Sequence, residues 1–411
     1  MSDISNKNIH KTSICDKFVL LLICLASMSF LSKPYYIIAI AFIAFVIASG
    51  KIYFDGTTII LLSLSLVFAM CNLTAGEPLA VVLKHFAYPI CYMLGFGFIK
   101  KEQQNDRIIE IEPLINRVLI VIALGVFIHC MLNFTINFGD ATSRNTVDFW
   151  TGETKSATVQ ASILCIPIAF FLAQFFSKIS RTKKFLVVIF TTMLFAYNLM
   201  LAGRTLFVIA IIALCYNLFF LIKYENAKIR KIFLVACSAV FVLFFVFTFN
   251  VFGIKGFVFG SEFYSRFFEN DFNSLGEDGR FILKKYYLQH FFDYPMGGCN
   301  LRNSVGYAHD IFLDTYDEYG IFALLFVVLF VGCALSNCFK LLRNDKVSFS
   351  LRRVISVLYI VVFVSFCIEP IFQGVPWLFA SFCIINGMTS AINHNYSEGK
   401  KHESFANQYS L

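Results

Sequence analysis

Charge is the scarcest ingredient of this chain. Only 15% of its 411 residues are Asp, Glu, Lys or Arg, against roughly 25% in an ordinary soluble domain. Paired cysteines are missing too. The 13 cysteines are scattered singly, nearly all within apolar runs, with no CxxC and no Cys/His spacing that suits a metal. Cys299 alone lies in a large polar loop, which leaves no intraloop disulfide to form, and the rest read as small buried hydrophobes. There is no P-loop, no GxGxxG ahead of a strand and no DxD-like pair in an external loop. Nucleotide hydrolysis and a metal-clamped diphosphate are therefore disfavoured. No internal repeat, low-complexity tract or soluble domain is visible.

What is present is hydrocarbon. The chain is 58% hydrophobic and 17% aromatic, with 51 phenylalanines, more than one globular core absorbs. The apolar residues come in runs of about 15 to 22, the length that crosses ~30 Å of hydrocarbon as a helix. The expected fold is all-α: a polytopic integral membrane protein forming a single membrane domain. Twelve spans can be drawn, at 18–32, 35–50, 58–74, 79–99, 118–137, 159–177, 185–201, 206–222, 232–252, 319–339, 354–370 and 376–392. The polar start MSDISNKNIHKTSICDK lacks the form of a cleavable secretory signal, so the first span is expected to act as its own insertion signal. With the N-terminus inside, the inner loops hold 23 Lys and Arg and the short outer loops 4. The positive-inside rule then puts both termini in the cytoplasm and the 253–318 loop outside. The net charge of +8 follows from this bias and is no nucleic-acid footprint.

The external loop holds most of the candidate chemistry. GRFILKKYYLQHFFDYP has apolar residues near helical spacing, which predicts an amphipathic surface helix of about 13 to 15 residues stopped at Pro295, with Arg280 in its first turn. An arginine there opposes the helix dipole and calls for an anionic partner: an acid such as Glu277 or Asp278, or a lipid-linked phosphate. Arg204, in NLMLAGRTLFVIAII, stands at the outer membrane face with little loop around it, either snorkelling to headgroups or binding substrate. Lys84 and His85 lie in the outer part of the fourth span, with Glu369 as the candidate ion-pair partner. Arg144 sits in SRNTVDFWTGETKSATVQA, where Trp150 and Phe149 suit either sugar stacking or an interfacial aromatic belt. His309, in GYAHDIFLDTYDEYGIFALLF, is either a satisfied polar residue at a helix start or a general base. The four acids that follow it read mostly as solvation for the start of the tenth span.

Three of these patterns, in this order, resemble the O-antigen polymerase and O-antigen ligase superfamily of bacterial surface-polysaccharide assembly. A span ends in a small residue followed by Arg-Thr (AGRTLFVIAIIAL). A long loop follows, with Gly-Arg opening an amphipathic helix that ends at Pro and Gly (GRFILKK…YPMGGC). Then comes a histidine ahead of Glu-Tyr-Gly and the next span. The similarity covers about residues 185–340, and aspartate follows the histidine where asparagine is common.

The resemblance implies a GT-C-like, metal-independent, inverting glycosyltransferase of the bacterial inner membrane, working without a cofactor at the periplasmic face. Its donor would be a glycan on undecaprenyl pyrophosphate. Arg204 and Arg280 would hold the departing pyrophosphate, with Arg144 a weaker member of the same cluster, and His309 would activate the acceptor hydroxyl. Lys84 and Glu369 join as candidate substrate contacts. Besides the lipid-linked oligosaccharide and membrane lipids, the implied partners are a chain-length regulator and a flippase. The first expectation is a repeat-unit polymerase. The second is a ligase that transfers polysaccharide onto lipid A-core, and a polysaccharide transporter or flippase is the remoter alternative.

Overall fold

The structure is a computed structural model that describes residues 14–104, 111–138, 145–177, 179–201, 204–224 and 279–408. In chain order the helices are α1 (Ile14–Ser27), α2 (Pro34–Ser49), α3 (Gly56–Thr74), α4 (Leu79–Lys84), α5 (Ala87–Gln104), α6 (Ile111–Ile136), α7 (Ala157–Ile163), α8 (Cys165–Phe175), α9 (Arg181–Met200) and α10 (Arg204–Tyr224). After them come α11 (Gly279–Gln289), α12 (Asn300–Val305), α13 (Ile311–Leu342), α14 (Phe349–Phe366), α15 (Ile371–Gly374) and α16 (Pro376–Gln408). A hairpin of β1 (Asn145–Val147) and β2 (Thr154–Ser156) pairs Thr146 with Lys155. Among the described residues seven helices are long and apolar enough to cross a membrane. Helix lies over every drawn span except 232–252, which is outside the described residues.

Burial runs inside out on these helices. Along α3, Leu61, Leu64 and Phe68 face the core while Ile59, Leu62, Leu66, Met70 and Leu73 point outward, Met70 at 62% exposure. Both stripes are apolar at helical spacing, and an outward apolar stripe is stable against lipid and not against water. Short polar caps define the starts: Asp55 and Thr58 form a reciprocal box on α3, Ser180 caps α9 and Ser348 caps α14. Helices α5 and α16 approach most closely at two glycines. A Cβ on Gly95 would come within 2.1 Å of the Ile384 carbonyl oxygen, and one on Gly387 within 2.2 Å of that of Tyr92.

Helices break repeatedly at one end of the bundle, the end that carries the hairpin. Between α4 and α5 the freed carbonyl of His85 accepts from the Ser65 hydroxyl at 2.9 Å, so a span drawn as continuous is two helices. The largest break is inside α13, at Gly320, with φ 80° and ψ −175°. The carbonyls of Asp317 and Glu318 lose their helical partners there. They accept instead from the amides of Cys299 (2.8 Å) and Gly298 (3.3 Å), while Ile321 donates to the Pro295 carbonyl at 2.9 Å. The Pro-Met-Gly-Gly-Cys loop is thus stitched into a broken span, satisfying backbone groups that apolar surroundings leave costly. A Cβ on Gly320 would sit 2.8 Å from the Met296 carbonyl carbon, and one on Gly297 2.7 Å from the Gly320 nitrogen. We expect Gly320→Ala to lower stability by about 2 kcal/mol, from the strained backbone region plus the clash. Gly332→Ala, in open space, should be silent; equal thermal-unfolding midpoints for the two variants in detergent would refute the assignment.

Candidate functional site

His309 precedes α13 in a left-handed backbone conformation, φ 56°, one that histidine tolerates better than most residues. Its neighbours hold it there. The Asp314 carboxylate accepts from the amides of Ala308 (2.7 Å) and Asp310 (3.0 Å), one on each side of the histidine. Asp310 caps α13, accepting from Phe312 and Leu313. Asp317 accepts from Leu301 and Arg302, the first amides of α12, and Glu318 pairs with Arg302 at 3.0 Å. The four acids therefore do not merely solvate a span start, as the sequence suggested. Asp314 and Asp317 are buried, and each ties down a separate piece of backbone.

Helix α11 lies alongside. Arg280 and Lys284, four residues apart, share a face. Arg280 donates to the Ile368 carbonyl at 3.0 Å and to Glu369 Oε1 at 3.4 Å; Lys284 contacts Asp310 at 3.2 Å and the Cys367 carbonyl. Phe281, Ile282, Leu288 and Phe292 are turned outward, the apolar side of an interfacial helix. One expectation needs correction. The helix has 11 residues and ends at Gln289, because Phe291 is drawn aside by Tyr316, which stacks on its ring at 4.2 Å and donates to its carbonyl. The described acid partner of Arg280 is Glu369; Glu277 and Asp278 lie outside the described residues.

Glu369 is where the elements meet. It follows α14, is fully buried, and takes a hydrogen bond from Thr205 at the start of α10 (3.1 Å) as well as from Arg280. His309 Nδ1 lies 3.9 Å from Glu369 Oε2. Thr205 and Arg280 both donate to the same carboxylate oxygen, Oε1. Arg204 opens α10 next to Thr205, which brings its backbone to this cluster; its side chain and all of Arg144 are outside the described residues.

Lys84 does not pair with Glu369. It ends α4, half-buried, and the acids acting on its ammonium group are Glu318 and Glu77. His85 is a core histidine, with Nδ1 3.3 Å from the Tyr88 hydroxyl and its ring against Phe68. Nor does Trp150 present a sugar-stacking face. Its indole N–H donates to the Met28 carbonyl at 2.9 Å, and its ring meets Phe30 and Phe149 edge-on. The same hairpin buries Asp148 against His129 (3.0 Å) and Lys155 (2.8 Å). Burial opposes ionisation there, but those two hydrogen-bonded partners hold the carboxyl well below the usual carboxylate range.

Thr205, Lys284, Arg302 and Gln373 had no place in the sequence reading. Only Lys284 had a readable signal, its position one turn beyond Arg280. Among the described residues no group of three or more His, Cys, Asp or Glu is placed to hold a metal. A cleft of about 510 Å³, lined by Tyr53, Asp55, Lys100, Gln104 and His394 among others, is at the start of α3, whose other end carries Cys71 against the Tyr319 carbonyl. It has no part in the cluster around Glu369.

The cluster thus combines two cations on one helix face, a histidine and a buried carboxyl. An anion entering it can replace Glu369 and Asp310 as the partner of Arg280 and Lys284. Comparisons with protein-family models, with curated proteins and with solved structures yield no match for the chain.

Proposed function

We propose that this chain is a membrane-embedded glycosyltransferase that polymerises the repeat units of a bacterial surface polysaccharide, O-antigen, capsule or exopolysaccharide. The observation that carries the reading is the convergence of Arg280 and His309 on buried Glu369, with Lys284 beside them on Asp310, at one end of an apolar helical bundle. In this reading the twelve-span, GT-C-like chain sits in the inner membrane with both termini cytoplasmic and the hairpin end periplasmic. The order of AGRT, GRFILKK and AHD…EYG along the sequence supports it, and so does the bunching of cations at one end. A flippase would call for cations along a central cavity.

The chemistry follows from charge. The donor is a glycan on undecaprenyl pyrophosphate, and the acceptor is a sugar hydroxyl on a second lipid-linked unit. His309 takes the hydroxyl proton while the oxygen attacks the anomeric carbon from the face opposite the pyrophosphate. The new C–O bond forms as the bond to the phosphate oxygen breaks, and the configuration inverts. The negative charge gathering on the leaving pyrophosphate is met by fixed cations: Arg280, Lys284 and, from its place at the head of α10, Arg204. Glu369 holds Arg280 in the empty site. The arriving pyrophosphate displaces Glu369 as the partner of Arg280 and takes the guanidinium in bidentate contact. A flippase and a chain-length regulator would act before and alongside this step.

Deletion of the gene should leave lipopolysaccharide capped with a single repeat. Bare core, with polymer retained on its lipid carrier, would identify a ligase using the same site, and an unchanged polysaccharide profile would refute both readings. Arg280→Ala and His309→Ala should insert normally and fail to restore the ladder; full complementation by either removes that residue from the mechanism. Transfer by purified protein should persist in chelator, and loss of transfer that added divalent cation restores would refute charge neutralisation by side chains alone.

A further inference from the structure

A second polar cluster lies beside the first and has no role in the chemistry above. Glu318 Oε2 accepts from Arg302 Nη1 at 3.0 Å and from Gln373 Nε2 at 2.6 Å. Arg302 also donates to the Tyr307 hydroxyl at 3.3 Å and lies over the Tyr307 ring, 5.2 Å from its centroid. Side chains of Arg302 and Glu318 keep 29% and 18% exposure, so a ligand can reach them. The Gln373 carbonyl oxygen is buried and has no hydrogen-bond partner, an acceptor position that an N–H or O–H donor would fill.

The framework around this cluster is rigid. Asp317 fixes the Arg302 backbone while the next residue, Glu318, fixes its side chain, and both acids stand just ahead of the stitched break at Gly320. Gln373 is on α15, four residues beyond Glu369. The two clusters are therefore neighbours along the chain, joined through Pro370 and the start of α15.

Charge separates the roles of the two clusters. Arg302 and Lys84 are balanced by Glu318 and Glu77, which leaves no surplus for a phosphate. A carboxylate, a carboxamide, a guanidinium and a phenol together offer donors and acceptors in fixed planes beside an aromatic face. That set matches vicinal hydroxyl groups on a ring.

We propose that Glu318, Arg302 and Gln373, with Tyr307, form a hydroxyl-recognising subsite that holds the acceptor glycan beside His309. This rests on the glycan-transfer reading. The ligand class is a neutral oligosaccharide, engaged through its hydroxyls and independent of any pyrophosphate.

The test uses the full chain in nanodiscs and an alkyl glycoside of the producing strain's own repeat unit, which carries no pyrophosphate. Calorimetry should show binding to the wild type that Gln373→Ala weakens about fivefold to tenfold, as expected for one or two lost hydrogen bonds. Arg280→Ala should bind the glycoside like the wild type. Tyr307→Phe, which keeps the ring over Arg302, should shift affinity in the same direction and serves if Gln373→Ala fails to assemble. No binding to the wild type, or wild-type affinity in both subsite variants, overturns the subsite. If the wild type transfers glycan while these variants bind unchanged, the subsite alone fails. If the wild type transfers none from lipid-linked repeats, the transfer reading fails first.

Discussion

A helix opened inside an apolar bundle leaves carbonyls that water cannot reach, and something in the chain must supply the missing N–H groups. At Gly320 the supply is the loop of residues 295–299, and most of the site depends on that repair. The loop is tied to α13 at three backbone points, which fixes where α11 leaves it on one side and α12 on the other. Arg280 and Lys284 then fall against the end of α14, and Arg302 falls against Glu318. Two glycines face each other because no Cβ fits between the strands of this seam. Glu-Tyr-Gly and Gly-Gly-Cys, far apart in sequence, are two halves of one contact.

Glu369 plays the corresponding part for the side chains. One buried carboxyl collects a hydroxyl from α10, a guanidinium from α11 and a histidine from the start of α13. Three segments distant in sequence are thereby held to one point. The Arg280 guanidinium and the Thr205 hydroxyl offset part of the desolvation cost of burying this carboxylate.

Much of this could be read from the sequence, for reasons that differ by element. Long apolar runs announced the helices, because period and length are local properties. Arg280 in a first turn and an amphipathic α11 followed from local pattern too. The end of α11 did not, since Tyr316 captures Phe291 from another element. The break at His85 was hidden inside an apolar run that read as unbroken, and the one at Gly320 lay at the polar edge where the tenth span was drawn to start. Pairings were the least legible part: Lys84 was matched to Glu369 by membrane depth alone, whereas depth leaves open which side of a helix a residue faces. Asp314 and Asp317 looked like solvated residues because their partners are backbone amides, and amides carry no sequence signature. The acids of α13, taken for a polar fringe, turned out to be the scaffold that aims the histidine.

Pairing Arg280 with an internal carboxylate also has a consequence for selectivity. A membrane surface is crowded with phosphodiesters that carry a single negative charge. A bare guanidinium at that depth would be occupied by whichever headgroup drifted past. With Glu369 already in place, such a headgroup exchanges one anion for another of equal charge and gains little. On the proposed chemistry, a pyrophosphate brings more charge and more oxygens than Glu369 can match, so it displaces the resident partner where bulk lipid does not. The internal ion pair thus filters ligands by charge, keeping the site vacant among abundant lipids until a scarce, doubly phosphorylated one arrives.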